Sequence, residues 1–433
     1  MAKIRIKKVI VEICRALLGL VFVFSGFVKA VDPWGSAFKN LEYFAAFDMH
    51  VTDSFAIIFA FIQIAAEFAI GVCLLLGIYR RYSSFLALLF MIVMTPLTLY
   101  LAIANPVTDC GCFGDALVIT NWQTFCKNLF LLAAAIVLCR WCRSMTSFFT
   151  WKSYSLSALW IVLFIVGFSF YCYIYLPIID FRPYKIGANI PQQMEFPEDA
   201  EQAVYKTTFT YAKNGKQQQF SIDNYPKGDD WTFVNSESKL IKKGYEPPIH
   251  GFSITDKTGD DVTDKVLSDT AYTFLLIGYK LEKADETNVD KINEIYDFSK
   301  KYGYGFMALT ASLSDEIDNW ISNTGAEYSF YTVDDIALKT IIRSNPGLLL
   351  IKKGTIINKW PNRRLPGNKE LALSLEETAL GKIPAQQNAL KVVCSAFILI
   401  IPLGALFLFD FFYTRKNLKS KRKGKRKTKV KKI

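Results

Sequence analysis

The residues best suited to chemistry lie in one short polar break, Asp109-Cys110-Gly111-Cys112-Phe113-Gly114-Asp115, between long apolar runs. Two thiols one residue apart can pair and run a two-electron cycle, with the thiolate as the reactive form. Closing a disulfide across a single residue needs a tight turn, and Gly111 permits one because it lacks a Cβ. The nearest charges oppose activation: Asp109 and Asp115 disfavour a further negative charge on sulfur, and Lys127 is the closest cation in sequence. Cys110 and Cys112 therefore admit two readings, redox exchange or a static disulfide that pins the loop. Metal binding is a weaker third, because His50 and His250 are the only histidines and no zinc ligand set is evident.

A second polar group interrupts an apolar run. Glu67 has Gln63 one helical turn earlier on the same face, and Arg15 in the first apolar run is its expected partner. Ionisable groups within a membrane are costly and point to function. Glu67, Gln63 and Arg15 are thus the expected proton or quinone site, with a buried structural ion pair as the plainer alternative. Cys139-Arg140-Trp141-Cys142 has Cys-x-x-Cys spacing, but it falls at the expected cytoplasmic end of a span, in a reducing compartment, and reads as coincidence.

The elements that must position these residues are membrane spans. The hydrophobic fraction is 52%, and six stretches, at about 8–31, 54–78, 83–104, 119–140, 155–176 and 389–413, are long enough to cross a bilayer as helices. The uncleaved N-terminus is read as the first span, since its apolar run contains Glu12 and Arg15 and shows no small-residue cleavage site. Net charge is +12, and 414–433 alone carries twelve Lys or Arg, which leaves the rest neutral. With no aromatic residue past Tyr413, that tail fits attraction to anionic lipid better than nucleic-acid binding. Lys3, Arg5, Lys7, Lys8, Arg80, Arg81, Arg140, Arg143, Lys152 and the tail all fall on one side, whereas the loop 105–118 has no Lys or Arg. The positive-inside bias then puts both termini in the cytoplasm, and the thiol loop and 177–388 outside a bacterial inner membrane.

The outer region divides at about residue 244. In 177–244, Val204–Thr210 and Gln217–Ile222 flank Lys213-Asn214-Gly215, a hairpin signal in a β-rich segment. In 245–388, strands are expected at 251–254, 272–279, 306–309, 346–351 and, after a turn at Lys353-Gly354, 355–357, with helices at 289–301 and, capped by Ser314, at 314–323. Alternation of this kind argues for an α/β sandwich. The order resembles the thioredoxin-like fold in its peroxiredoxin or extracytoplasmic thiol-reductase variants. Glu246-Pro247-Pro248-Ile249-His250-Gly251-Phe252 is similar to that family's start, Asn345-Pro346 to its cis-proline, and Lys353-Gly354 to its hairpin turn. Where the family's Cys-x-x-Cys should follow the strand ending near Tyr279, this chain reads Lys280-Leu281-Glu282-Lys283-Ala284-Asp285, and no cysteine lies between Leu176 and Leu390. Such a domain cannot do dithiol chemistry itself.

Residues 1–142 carry a further resemblance. Arg15-Ala16-Leu17-Leu18-Gly19, Phe24-Ser25-Gly26-Phe27-Val28-Lys29 and Asp32-Pro33 resemble the first-span signature of the DoxX family. Cys110-Gly111-Cys112-Phe113-Gly114 resembles the loop motif of the related MauE family. The resemblance implies a four-helix membrane module tied to disulfide formation or to electron transfer near quinones. The expected fold class is therefore an α-helical polytopic membrane protein. It has a four-helix bundle, a fifth span within 143–176, a sixth at 389–413, and an extracytoplasmic α/β thioredoxin-like domain. The expected function is thiol–disulfide redox exchange through Cys110 and Cys112 with an extracytoplasmic thiol protein or peptide and a quinone. The alternative is a non-enzymatic assembly or scaffold protein with a static disulfide.

Overall fold

The computed structural model describes residues 2–107, 109–197, 199–201, 204–213, 216–221, 231–242, 244–385 and 388–430. Six helices are long and apolar enough to span a membrane: α1 (Ala2–Val31), α3 (Asp53–Leu76), α4 (Arg80–Ala104), α5 (Asn121–Trp141), α6 (Tyr154–Ile174) and the first part of α12 (Asn388–Val430). The protein is a multi-pass membrane protein. One element was not expected: α2 (Pro33–Ala46) occupies the break between the first two spans. Asp32 starts it by accepting from Gly35 N, and Pro33 stands at its first position, where a missing N–H costs nothing.

The bundle is held by close packing of α1 against α3. A Cβ on Gly26 would fall 2.7 Å from Phe68 N, so only glycine lets the two backbones approach this far. Around that contact Leu18, Phe22, Leu74, Met91 and Leu138 form one core cluster, and Ile64, Phe68, Ile161 and Ile165 another. The last span leans on α6, where Trp160 Nε1 donates to Leu399 O at 3.3 Å.

Outside the spans lie two sheets and the short helix α7 (Ile190–Met194). Strands β1 (Val204–Lys213), β2 (Lys216–Ser221) and β3 (Thr232–Lys242) form an antiparallel sheet in the order β2-β1-β3. The expected Asn214-Gly215 turn lies outside the described residues.

The second unit contains α8 (Thr263–Ser268), β4 (Tyr272–Gly278), α9 (Val289–Tyr302), β5 (Gly305–Thr310), α10 (Ser314–Thr324), β6 (Ser329–Thr332), α11 (Asp335–Ile341), β7 (Gly347–Lys352) and β8 (Thr355–Pro361). Its sheet runs β6-β5-β4-β7-β8, with β4, β5 and β6 parallel and β7 and β8 antiparallel. Strand β4 is buried along its whole length because both faces are covered. Phe274 and Leu276 meet Ile292, Ile295 and Trp320 on one face, while Leu275 and Ile277 meet Val266, Leu338 and Ile341 on the other. Tyr184 and Ile190, assigned by sequence to the preceding β-rich segment, pack into this second cluster. The Asn345–Pro346 peptide is cis.

Two expectations here need correction. Residues 251–254 are not a strand; only the adjacent Thr255 makes isolated bridges, to Asp261 and Thr332. Ser314 does not cap α10: it is the first helical residue, and Leu313 holds the capping position without a side-chain bond.

Candidate functional site

Close approach of α1 and α3 places a buried polar cluster inside the bundle. Ser25 and Lys29 share one face of α1, and Gln63 and Glu67 share one face of α3, each pair one turn apart. Lys29 Nζ lies 2.6 Å from Glu67 Oε1, and Gln63 Nε2 donates to the same oxygen at 3.2 Å. Ser25 Oγ lies 2.7 Å from Glu67 Oε2 and 2.7 Å from the Cys112 carbonyl oxygen. Glu67 is only 2% exposed and Lys29 6%. The expected partner, Arg15, is not here. It pairs with Glu12 at 2.8 Å and donates to Thr146 O at 2.7 Å, tying α1 to the segment after α5. The reason is helical rise: Arg15 precedes Lys29 by fourteen residues, about 21 Å along the axis.

The thiol loop closes over this cluster. Asn105 ends α4 in the left-handed region, and Thr120 with Gln123 forms a capping box that starts α5. Between them Asn121 Nδ2 donates to Asn105 Oδ1 and to Val107 O, both at 2.9 Å, and so holds the loop's ends together. Cys110 and Cys112 are joined as a disulfide. Gly111 between them has φ +59°, and a Cβ there would meet Lys39 Cγ at 2.7 Å. Asp109 Oδ1 accepts from Gly111 N at 2.7 Å. Helix α2 lies across the loop: Tyr43 donates its hydroxyl to the Cys110 carbonyl, and Lys39 pairs with Asp109 at 3.3 Å. Burial and the negative charges of Asp109 and Glu42 push the Tyr43 phenol up, which keeps it a donor. Both cysteines are consequently buried, at 4% and 8% exposure.

Above α2 the α/β unit forms a roof. A cleft of about 470 Å³ separates the two and is lined by Asp32, Lys39, Gly111, Asp115, Arg182 and Arg343, among others. Arg343 closes it, with Nε 2.9 Å and Nη2 2.8 Å from Asp32 Oδ2 and Nη2 3.8 Å from Asp115. Burial alone would raise the Asp32 carboxyl, but Arg343 and Arg182 outweigh it and hold the group below its ordinary range. Burial and the neighbouring Asp32 charge raise Asp115 instead. Behind Arg343, Asp180 accepts from Arg182 Nε at 2.7 Å and from Lys359 Nζ at 3.1 Å. One carboxylate thus serves two cations, and burial pushes the Lys359 amine down to about 8. Farther along the same face Lys283 pairs with Asp53 at 2.6 Å, and Phe38 meets Tyr279 edge to face. Residues 280–285 carry a short 3-10 turn, Leu281–Lys283, turned towards the bundle. Pro346 follows three residues after Arg343, and Asn345 Nδ2 donates to Lys280 O at 2.7 Å.

The structure therefore brings Cys110, Cys112, Gly111, Glu67 and Gln63 together and leaves Arg15 apart. Cys139 and Cys142 are unpaired, and no cluster of metal-ligating residues occurs among the described residues. The sequence reading missed Ser25, Lys29, Lys39, Tyr43 and Arg343. For Ser25 and Lys29 the signal was available: they lie one turn apart in an apolar run and inside the quoted first-span signature. Arg343 carried none, since its partner is more than three hundred residues away.

A multi-pass helical bundle carrying a buried ion pair and a loop disulfide, with a sheet-containing C-terminal region, is the class of protein these features define. Residues 7–140 match the family model described as Methylamine utilisation protein MauE. Residues 205–243, which include most of the β1–β3 sheet, match a Domain of unknown function (DUF8463). No curated protein and no solved structure matches the chain.

Proposed function

We propose that the protein is a membrane-bound thiol–disulfide redox protein in which Cys110 and Cys112 exchange electrons with an extracytoplasmic thiol protein or peptide. The supporting observation is the position of the disulfide, with Gly111 on the outer cleft and Cys112 joined through Ser25 to the buried Glu67–Lys29 pair. The MauE-like bundle supplies the context, and the family's description ties it to methylamine utilisation. The α/β unit is read as thioredoxin-like on its strand order and its cis bond at Pro346, and it acts without thiols, as a roof. The proposed setting is a bacterial inner membrane with both termini cytoplasmic and 177–388 outside.

A lipid-soluble quinone is the class of two-electron partner proposed for the membrane side. Gln63, Glu67 and Arg15 do not form a pocket for it: Arg15 is bound elsewhere, and the cavity beside Glu67, about 30 Å³, has room for roughly one water. The reading therefore gives the quinone no residues of its own.

Burial of both sulfurs favours a second reading, an assembly scaffold whose disulfide is static. Alkylation trapping in cells separates the two, together with complementation by Cys110→Ser and Cys112→Ser. The redox reading expects a thiol state that changes with growth conditions and loss of function in each variant at normal membrane abundance. A disulfide across one residue adds little loop-closure stabilisation, so a scaffold should tolerate its loss. Full complementation by either variant, with a disulfide that never opens, would favour the scaffold.

A further inference from the structure

On the side of the α/β unit, the ends of the last two spans flank a further cavity of about 150 Å³, with room for several waters or for one phosphate group. Its charged lining is Asp180, Arg182, Lys185, Lys359 and Lys391, four cations to one carboxylate. The cavity stands where the chain passes between membrane and water. Leu176, on its wall, follows α6 by two residues, and Lys391 is the third residue of the last span.

The cations divide into a floor and a rim. Arg182 and Lys359 make the floor, each with a side chain 3% exposed. They share Asp180, and their other bonds go to backbone carbonyls: Arg182 Nη1 donates to Thr340 O at 2.9 Å and Lys359 Nζ to Ile341 O at 2.7 Å. An ammonium has three donors and a guanidinium five, so both keep N–H groups beyond these bonds. Lys185 and Lys391 make the rim. Both are exposed, and neither has an ion-pair or hydrogen-bond partner among the described residues. The other carboxylates whose charge reaches Arg182, Asp32 and Asp115, line the cleft and not this cavity. Two buried cations on one carboxylate leave a positive charge unmatched, and such a charge is costly without a further anion.

The surroundings of the rim decide which anion. Leu176, Ile178 and Ile186 make part of the wall apolar. At the same ends of α6 and α12, Tyr171, Tyr175, Leu390 and Val393 are exposed, a surface suited to acyl chains with tyrosines at headgroup level. A cationic pocket beside an apolar, membrane-level wall matches a molecule that is anionic at one end and hydrocarbon at the other. We infer that this cavity binds the phosphate of an anionic phospholipid, with Arg182 and Lys359 beneath it and Lys185 and Lys391 closing on it from the rim. Lys391 belongs to the sixth span, Arg182 and Lys185 to the segment after the fifth, and Lys359 to β8. One lipid would thus tie the sixth span to the fifth and to the α/β unit. Such a site is independent of what the disulfide does.

The test titrates the full-length protein in detergent with phosphatidylglycerol carrying a photoreactive acyl chain, and locates the adducts by peptide mass. Peptides covering 170–186 and 383–397 should label with saturation, while label on the basic tail at 414–433 serves as an internal reference. Lys185→Gln with Lys391→Gln removes two rim charges without breaking a bond of the fold. It should weaken the saturable label about thirtyfold, about fivefold for each charge, and leave the tail label unchanged. Lys185→Arg with Lys391→Arg should label as the wild type does. Equal saturation in the wild type and the double glutamine variant would overturn the site. Equal labelling by the matching photoreactive phosphatidylcholine would overturn it too, since net charge would then not be what is recognised. Inorganic phosphate alone, at millimolar concentration, should leave the label in place. Displacement by it would make the cavity a site for a soluble anion and overturn the lipid assignment.

Discussion

In the bundle, charge is buried singly and deep: Lys29 and Glu67 meet between two apolar helices, with Ser25 and Gln63 completing the set. In the α/β unit β4 is dry along its whole length, and buried charge gathers at the edge that faces the bundle, where Asp180, Arg182, Lys359 and Arg343 lie at and behind the cleft. Polarity inside a membrane helix has no water to fall back on, so it persists where it has partners and a purpose. Charge at a domain edge can instead serve to dock one body on another. On the proposed reading, the contrast places the chemistry in the bundle and gives the α/β unit the task of holding α2 and the thiol loop in place.

The largest expected effect falls on the deep pair. Lys29→Met leaves Glu67 buried without its cation, and removing one partner of a buried pair costs about 3–5 kcal/mol. The measurement is the loss of folded protein on heating in detergent. Adding Glu67→Gln to Lys29→Met should recover much of that loss, because the buried carboxylate that lost its cation is then gone. If Lys29→Met alone is as stable as the wild type, the pair is not holding the two helices, and the contrast between regions fails on the bundle side.

A smaller effect is expected at the docking edge, and here the two bridges should differ. Arg343→Ala removes a two-pronged contact to Asp32 whose side chains are 7% and 18% exposed, and truncating such a buried charge costs about 2–5 kcal/mol of docking. Lys283→Ala removes a pair that is about half exposed on both sides, worth about 0–1 kcal/mol. Hydrogen exchange should therefore rise in α2 and the 109–118 loop for Arg343→Ala and barely change for Lys283→Ala. Equal responses would mean that the edge docks by shape alone.

Much of the architecture was legible in the sequence because it rests on local patterns. Six apolar runs gave the spans within a few residues, and the fully apolar run at Tyr272 gave a strand buried on both faces. Helix α2 was missed because Trp34, Phe38 and Phe44 lie among polar residues in a break that looked like a loop. The partner of Glu67 was misjudged because Arg15 is the conspicuous cation of the first span, while Lys29 at its end looks like an interfacial residue. Only the α1–α3 contact, made possible by Gly26, fixes which cation reaches Glu67. The cleft and its Arg343 clamp depend on how two distant parts of the chain dock, which no local pattern encodes.

A last effect, gradual rather than abrupt, sharpens the α/β side through pH. The Lys359 amine is pushed down to about 8 in the folded chain, against about 10.4 when unfolded. Between these values the unfolded chain holds more protons on this group, so stability rises with pH, by at most about 1.4 kcal/mol per unit. Below pH 8 the lysine is charged in both states and its contribution is flat. Burial of Tyr279 and Tyr328 raises both phenols to about 12, so above pH 10 the folded chain keeps protons that the unfolded chain loses, and stability falls again. Exchange protection of β7 and β8 in the full-length protein should therefore peak between about pH 9 and 10. Lys359→Met should abolish the rising limb and leave the falling one. A wild-type profile that is level from pH 8 to 9.5 would mean that Lys359 is well solvated, and the burial of charge behind the cleft would have to be given up.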